Sequence, residues 1–206
     1  MPSPSPGLRT LLRIVVLLLP LLPLTACTRL VASPSPPDVD TIAVFPVDNR
    51  TGRDLFADAP PIAGFFGYPT RPRVTAADIL TDEFARGLAA RGFRVIAPPP
   101  SPGGEPAAPV GSAGEAARRL ADAKLAADGL YVRLRIWNPT SASHLIYVDV
   151  MLDATLVAPD GRVLWTAELP ATPIDGGGAS TVALGYPEVA RRVVERVIEN
   201  LRPAAP

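Results

Sequence analysis

Cysteine, histidine and lysine are almost missing from this chain of 206 residues, which holds one of each: Cys27, His144 and Lys124. A single cysteine excludes an internal disulfide and the paired Cys-x-x-Cys of a zinc or redox site. A single histidine excludes a histidine-rich metal site, and no His-Glu-x-x-His occurs. Aromatics make up only 6% of the residues, and the acidic and basic side chains balance to a formal charge of +0. With no run of basic residues to follow a phosphate backbone, nucleic acid is not an expected partner. Proline, by contrast, is abundant, and it gathers at residues 34–37, 60–72 and 98–109, where it punctuates a fold instead of preventing one.

What stands around Cys27 is more telling than the cysteine itself. Arg9 and Arg13 precede an apolar run from Ile14 to Leu24, and the run ends in Leu24-Thr25-Ala26-Cys27. A membrane span needs about 20 apolar residues to cross roughly 30 Å of hydrocarbon. This run is much shorter, and Pro20 and Pro23 break it, which argues equally against a buried core helix. A basic start, a short apolar stretch and small residues before the break are the parts of a secretory signal. The segment resembles the signal of bacterial lipoproteins, whose pattern of Leu, a small residue, Ala or Gly, then Cys is matched at all four positions. The resemblance implies cleavage after Ala26, a diacylglyceryl group on the Cys27 sulfur and an acylated new N-terminus. Thr28 follows where Asp would mark retention at the inner membrane, so the resemblance implies the outer membrane, facing the periplasm.

The expected organisation is a signal peptide over 1–26, a lipidated cysteine with a Pro/Ser-rich tether over 27–40, one α/β domain over 41–202 and a tail over 203–206. Ser33-Pro34-Ser35-Pro36-Pro37 favours an extended polyproline-like path, and the tether reaches on the order of 40 Å at full extension. The domain opens with a strand over 41–48, and Asn49-Arg50-Thr51-Gly52 has the composition of a turn. The long loop that follows carries Phe65, Phe66 and Tyr68, which either cover the edge of the core or contact a partner, membrane or ligand. Thr75 with Asp78 caps a helix to Arg91, closed by Gly92, and residues 93–97 form a short strand. Ser112 with Glu115 opens a second helix reaching about Ala127, with Ala116, Leu120 and Ala123 on its apolar side.

From Gly129 the period becomes two. Leu130, Val132, Leu134 and Ile136 fall on one face, with Tyr131, Arg133, Arg135 and Trp137 on the other. A turn at Asn138-Pro139-Thr140-Ser141 leads to a strand with Ile146, Val148, Val150, Leu152, Ala154 and Leu156 inward. Ala158-Pro159-Asp160-Gly161 then leads to a third strand with Val163, Trp165, Ala167 and Leu169 inward. A terminal helix from Tyr186 to Leu201, with Pro187 in its first turn, buries Val189, Val193, Val194, Val197, Ile198 and Leu201. The order β-α-β-α-β-β-β-α predicts a two-layer α/β sandwich, a mixed sheet with its helices on one face.

The outward side of the meander is the candidate interaction surface. Arg133 and Arg135 face Asp149 and Asp153 among Tyr131, Trp137 and Tyr147. These are either solvated cross-strand ion pairs, each worth about 0.2–1 kcal/mol, or a subunit interface, where aromatics and arginine are enriched. Catalytic chemistry is not in view. Ser143 and His144 are adjacent and would point to opposite faces of a strand. Gly176-Gly177-Gly178 lacks the Lys of a phosphate loop and reads as a connector, not opening a helix after a strand. Nearby arginines would make Asp149 and Asp153 poor general acids.

"TIAVFPVDNRTG", "ILTDEFARGLAARGFRVI", "ADGLYVRLRIW" and "LDATLVAPDGRVLWTAEL" resemble the superfamily of envelope lipoproteins that shares the fold of TolB's N-terminal domain. Its members include the curli-secretion pore lipoprotein, the lipoprotein activator of penicillin-binding proteins, the Pel polysaccharide-export lipoprotein and a lipoprotein family without settled function. The resemblance spans most of residues 41–201 and implies an envelope scaffold, often oligomeric, with no catalytic residue and no cofactor. Unlike the curli pore, the chain has no pair of long amphipathic membrane hairpins. Two function classes follow: a lipid-anchored interaction protein serving an export, polysaccharide-secretion or cell-wall machine, and a carrier of a small apolar ligand or lipid in a pocket lined by Phe65, Phe66 and Tyr68.

Overall fold

The computed structural model describes residues 31–32, 40–53, 74–101, 103–142, 145–178 and 182–203. Three long strands dominate it: β5 (Asp128–Ala142), β6 (Leu145–Val157) and β7 (Val163–Asp175), joined as the antiparallel meander that the alternating pattern predicts. Before them come β1 (Val31–Ala32), β2 (Thr41–Val44), β3 (Asp48–Asn49), helix α1 (Ala76–Ala90), β4 (Arg94–Ile96) and helix α2 (Ala113–Asp122); helix α3 (Val182–Val197) comes last. The strands form one mixed sheet in the order β1-β7-β6-β5-β2-β4, with β3 also paired to β5. The α/β sandwich with a mixed sheet is thus the observed architecture, and the predicted order holds with two short strands added.

Local chemistry explains the boundaries. Thr75 accepts a bond from the Asp78 amide (3.2 Å), and the Asp78 carboxylate accepts from the Thr75 amide (2.8 Å), a reciprocal cap that satisfies two orphan donors at the start of α1. Gly92, at φ 94°, turns the chain out of the helix where a side chain would be strained. Pro46 interrupts the predicted 41–48 strand, since it has no amide to donate. Pairing stops at Val44 and resumes at Asp48, and the Val47 amide goes to the Thr81 hydroxyl instead (2.9 Å).

The main core lies between the sheet and the α1/α3 layer. It contains Ile42, Val44, Leu80, Phe84, Leu88, Leu130, Leu134, Leu152, Trp165 and the whole predicted stripe from Val189 to Leu201, although α3 ends at Val197 and Ile198 and Leu201 are buried just past it, short of the predicted helix end at Leu201. Gly87 brings the two helices together: a Cβ there would stand 2.8 Å from Val194 Cγ1.

α2 departs from the expected single helical face. It packs on the opposite side of the sheet, where Ala116, Ala117 and Leu120 meet Ala43, Phe45 and Val157 in a separate cluster. β2 is apolar on both sides, as a strand covered on both faces must be. A Cβ on Gly129 would lie 2.9 Å from Leu120 Cδ1 and 3.0 Å from Phe45 Cε2, so the missing side chain admits this small, alanine-rich helix. α2 ends at Asp122, earlier than predicted, and Ala123 is exposed at its C-cap.

Five further differences are seen. Val163, expected inward, is 50% exposed, because the β6–β7 register shifts between Leu156 and Val157 and takes the first residue of β7 out of the alternation. The predicted turn Asn138-Pro139-Thr140-Ser141 is strand, with Pro139 opposite Val148. β2 and β3 pair with β5 only as far as Leu134, so among the described residues the distal half of β5 is an edge, where proline is tolerated. α3 begins at Val182 and carries Pro187 in its interior instead of its first turn. The Gly176–Gly178 connector does lie between a strand, β7, and a helix, α3; positive φ angles account for Gly177 (73°) and Gly178 (71°), and a Cβ on Gly176 would stand 3.1 Å from Ile146 Cγ2. Finally, two residues of the predicted tether form β1, antiparallel to β7 with Val31 opposite Glu168 and Ala32 opposite Ala167.

Candidate functional site

The predicted surface divides into three groups, and one irregularity in β5 causes most of the division. The register with β6 slips between Leu134 and Ile136, leaving Arg135 as the extra residue of a bulge. Past that point every side chain exchanges faces. Trp137 therefore points into the core, 3% exposed, where its ring meets Tyr186 edge-on at 5.3 Å between centroids. It is not part of the outer surface, and Ile136 takes its place there.

Arg133 and Tyr131 form a second group, held under α2. Tyr131 packs against the small cluster beneath that helix. Arg133 donates to the Gly111 carbonyl at 2.6 Å and approaches the Asp48 carboxylate at 3.8 Å. Asp48, 8% exposed, also receives Arg50 at 2.7 Å. On the other side of the same loop, Glu115 accepts from the Gly111 amide (2.9 Å) and pairs with Arg119 (2.6 Å). The Gly111 amide and the Arg119 guanidinium together hold the Glu115 carboxyl below its ordinary pKa. Arg133 thus ties β5 to the start of α2 and has a folding role. Asp48, Arg50 and Gly111 were not identifiable from sequence as its partners, because they come from the short strand β3, the residue after it and the loop before α2, all far from it in the chain.

The third group is the open surface. On the side of the β5–β7 meander away from α1 and α3, α2 and its cluster cover Gly129, Tyr131 and Val157 among the described residues of these strands. Beyond them, Ile136 stands opposite Met151, Asn138 opposite Asp149, and Thr140 opposite Tyr147. Tyr147 is exposed, while Ile136, Asp149 and Met151 are half-buried. Arg135 forms an ion pair with Asp153, as the facing charges predicted, though from the bulge. Glu168 lies next to Asp153 across β7. The surface is a strand-long strip of about 40 Å, with Tyr147, Met151 and Ile136 along it and a net acidic rim.

Two cavities lie among the described residues. One, of about 570 Å³, is open and lined by Asp175, Arg192, Glu195, Arg196 and Glu199 together with Pro173 and Ile174. Another, of about 260 Å³, lies in the α1/α3 groove among Glu83, Arg86, Arg91 and Arg191. Phe65, Phe66 and Tyr68, Cys27, and the Ser143-His144 pair lie outside the described residues. Among the described residues no cluster of three or more His, Cys, Asp or Glu side chains is placed to hold a metal, and no helix is long and apolar enough to cross a membrane.

The exposed side of α3 is laced with charge pairs. Glu188 accepts from Arg191 (2.7 Å) and Arg192 (2.6 Å), and Arg192 reaches Asp175 at 3.2 Å. The bonds from Arg191, then Arg192, hold the Glu188 carboxyl down at about 2. Asp175 is lowered first by the Gly177 amide and then by Arg192. A depressed folded pKa contributes stability that is complete above the ordinary glutamate value, about 4.3, and is lost as pH falls from there toward the folded value. A carbon-detected NMR titration is expected to place the Glu188 midpoint near 2. The Arg191→Ala/Arg192→Ala double variant should return it to the ordinary range; an unchanged midpoint would refute the assigned cause.

No protein-family model matches the chain, and no curated protein sequence does. Solved structures do. PelC from Paraburkholderia phytofirmans, a dodecamer in its crystals, aligns with a TM-score of 0.51 at 16% identity, covering 85% of this chain and 98% of that one. A point variant of the same PelC dodecamer gives 0.51 at 16%, covering 84% and 97%. Lipoprotein GNA1162 from Neisseria meningitidis gives 0.36 at 14%, covering 78% and 99%. The likeness to PelC is one of fold.

Proposed function

We propose that this protein is a lipid-anchored envelope scaffold, held by acyl groups on Cys27 and assembled from copies of itself, that serves an export, polysaccharide-secretion or cell-wall machine. The observation that carries this reading is the open surface of the meander. Monomeric domains seldom leave a long sheet face uncovered while placing tyrosine, methionine and arginine along it, and those residue types are enriched where proteins meet. The PelC fold supports the reading, because that protein is a dodecamer. The acidic rim of Asp149, Asp153 and Glu168 suits a neighbour's arginine-bearing side. The reading assigns the chain no reaction; the partner is another envelope protein, and no nucleic acid or cofactor is involved.

Anchoring is tested at its one chemical requirement. Cys27→Ser should accumulate as an uncleaved precursor that incorporates no labelled palmitate. Normal labelling and cleavage of that variant would remove the anchor from the account.

A further inference from the structure

β1 is only two residues long, yet its place and direction constrain how the domain meets a membrane. Val31 and Ala32 lie on the free side of β7, opposite Glu168 and Ala167. Because the pairing is antiparallel, the chain enters β1 from the side of Thr172–Asp175 and leaves it toward Val163. Four residue steps separate Cys27 from Val31, a reach of about 14 Å even when fully extended. The longer stretch from Ala32 to Thr41 has nine steps, about 30 Å of reach, to cross the four strand spacings of roughly 19 Å between β1 and β2, so the same chain can supply both strands.

We propose that the β1–β7 pairing is a clip that sets the domain's orientation on the bilayer, holding its Thr172–Asp175 end nearer the lipid surface than its Val163 end. The proposal rests on the lipid anchor at Cys27. Without the clip, the whole tether would let the domain swing on the order of 40 Å from the bilayer. With it, the leash is the short segment before Val31. Arg162, exposed at the start of β7, lies about 37 Å along the strand from Pro173, exposed near its end.

The test uses the acylated full-length protein in phosphatidylethanolamine/phosphatidylglycerol vesicles that contain a lipid with a nitroxide headgroup. Acylation converts the Cys27 thiol to a thioether, so Pro173→Cys or Arg162→Cys supplies the only free thiol for a fluorophore. Quenching should be several-fold stronger at position 173 than at 162. In the Val31→Pro/Ala32→Pro background, which removes the pairing donors of β1 but leaves Cys27 intact, the ratio should fall toward one while the protein still sediments with vesicles. Equal quenching at the two sites in the unaltered protein, or a ratio that the prolines leave unchanged, would overturn the clip. Mass spectrometry showing no acyl group on Cys27 would instead sink the anchoring reading, and the clip with it.

Discussion

Tyr147→Lys combined with Met151→Lys is expected to reduce the assembled protein to monomers without unfolding it. Both side chains lie on the outer face of β6, Tyr147 exposed and Met151 half-buried, and neither belongs to the main core. Each new ammonium has an acid two residues away on the same face, Asp149 for both and Asp153 for the second, so the isolated protomer tolerates them. Surface changes of this kind usually alter stability within about 0.5 kcal/mol. At an interface the balance differs, because an uncompensated buried charge costs about 3–5 kcal/mol. Even one such charge per contact lowers affinity by at least about 10²-fold, since about 1.4 kcal/mol is tenfold. Light scattering should show the single-chain mass with an unchanged circular dichroism spectrum, whereas Tyr147→Phe should stay assembled. A double-lysine variant that remained a full oligomer would place the interface elsewhere. Arg133→Glu would not ask this question cleanly. Arg133 holds Gly111 and faces Asp48, so a carboxylate there strikes the seat of α2.

Phe84→Ala should be the most destabilising single change in the helical layer. Phe84 is fully buried on α1, between the sheet and α3. Truncating a buried phenylalanine costs about 3–5 kcal/mol, the lost transfer of the ring plus the cavity that it leaves. Whole domains are stable by only about 5–15 kcal/mol, so the variant should lose a large share of its stability. Urea unfolding should show a much lower midpoint at an unchanged slope, with Phe84→Leu in between. A midpoint within experimental error of the parent protein would mean that the α1–sheet contact is not the core described above.

Periodicity was enough for the elements whose residues interact mainly within themselves or with one neighbour. The reciprocal cap at Thr75 and Asp78, the alternation of β6 and the buried stripe from Val189 to Leu201 appear where the pattern places them, whereas β5 keeps its expected faces only as far as Leu134 and Val163, at the head of β7, is half exposed instead of inward. The misplaced features depend on long-range packing. A bulge adds one residue without changing composition, so nothing in Arg133-Leu134-Arg135-Ile136-Trp137 announces that Trp137 turns inward. The double-sided cover of β2 was half visible in the unbroken apolar run Ile42-Ala43-Val44-Phe45, yet which helix would use Ala43 and Phe45 depends on Gly129 admitting Leu120. Pro139 reads as a turn residue until its strand is seen, among the described residues, to lack a neighbour on one side. Of the candidate surface, Arg135, Tyr147 and Asp149 were legible as outward residues. Tyr131 and Arg133 were outward too, but α2 covers them, and a helix on that face was not foreseen.

The mass of the acylated, full-length protein in a mild non-ionic detergent, measured by light scattering with the detergent contribution subtracted, tests the account most directly. A self-assembled scaffold predicts a discrete particle of several protomers that persists on dilution and loses its order in the Tyr147→Lys/Met151→Lys variant. A particle holding one chain at every concentration, with Cys27 shown to be acylated, would contradict it.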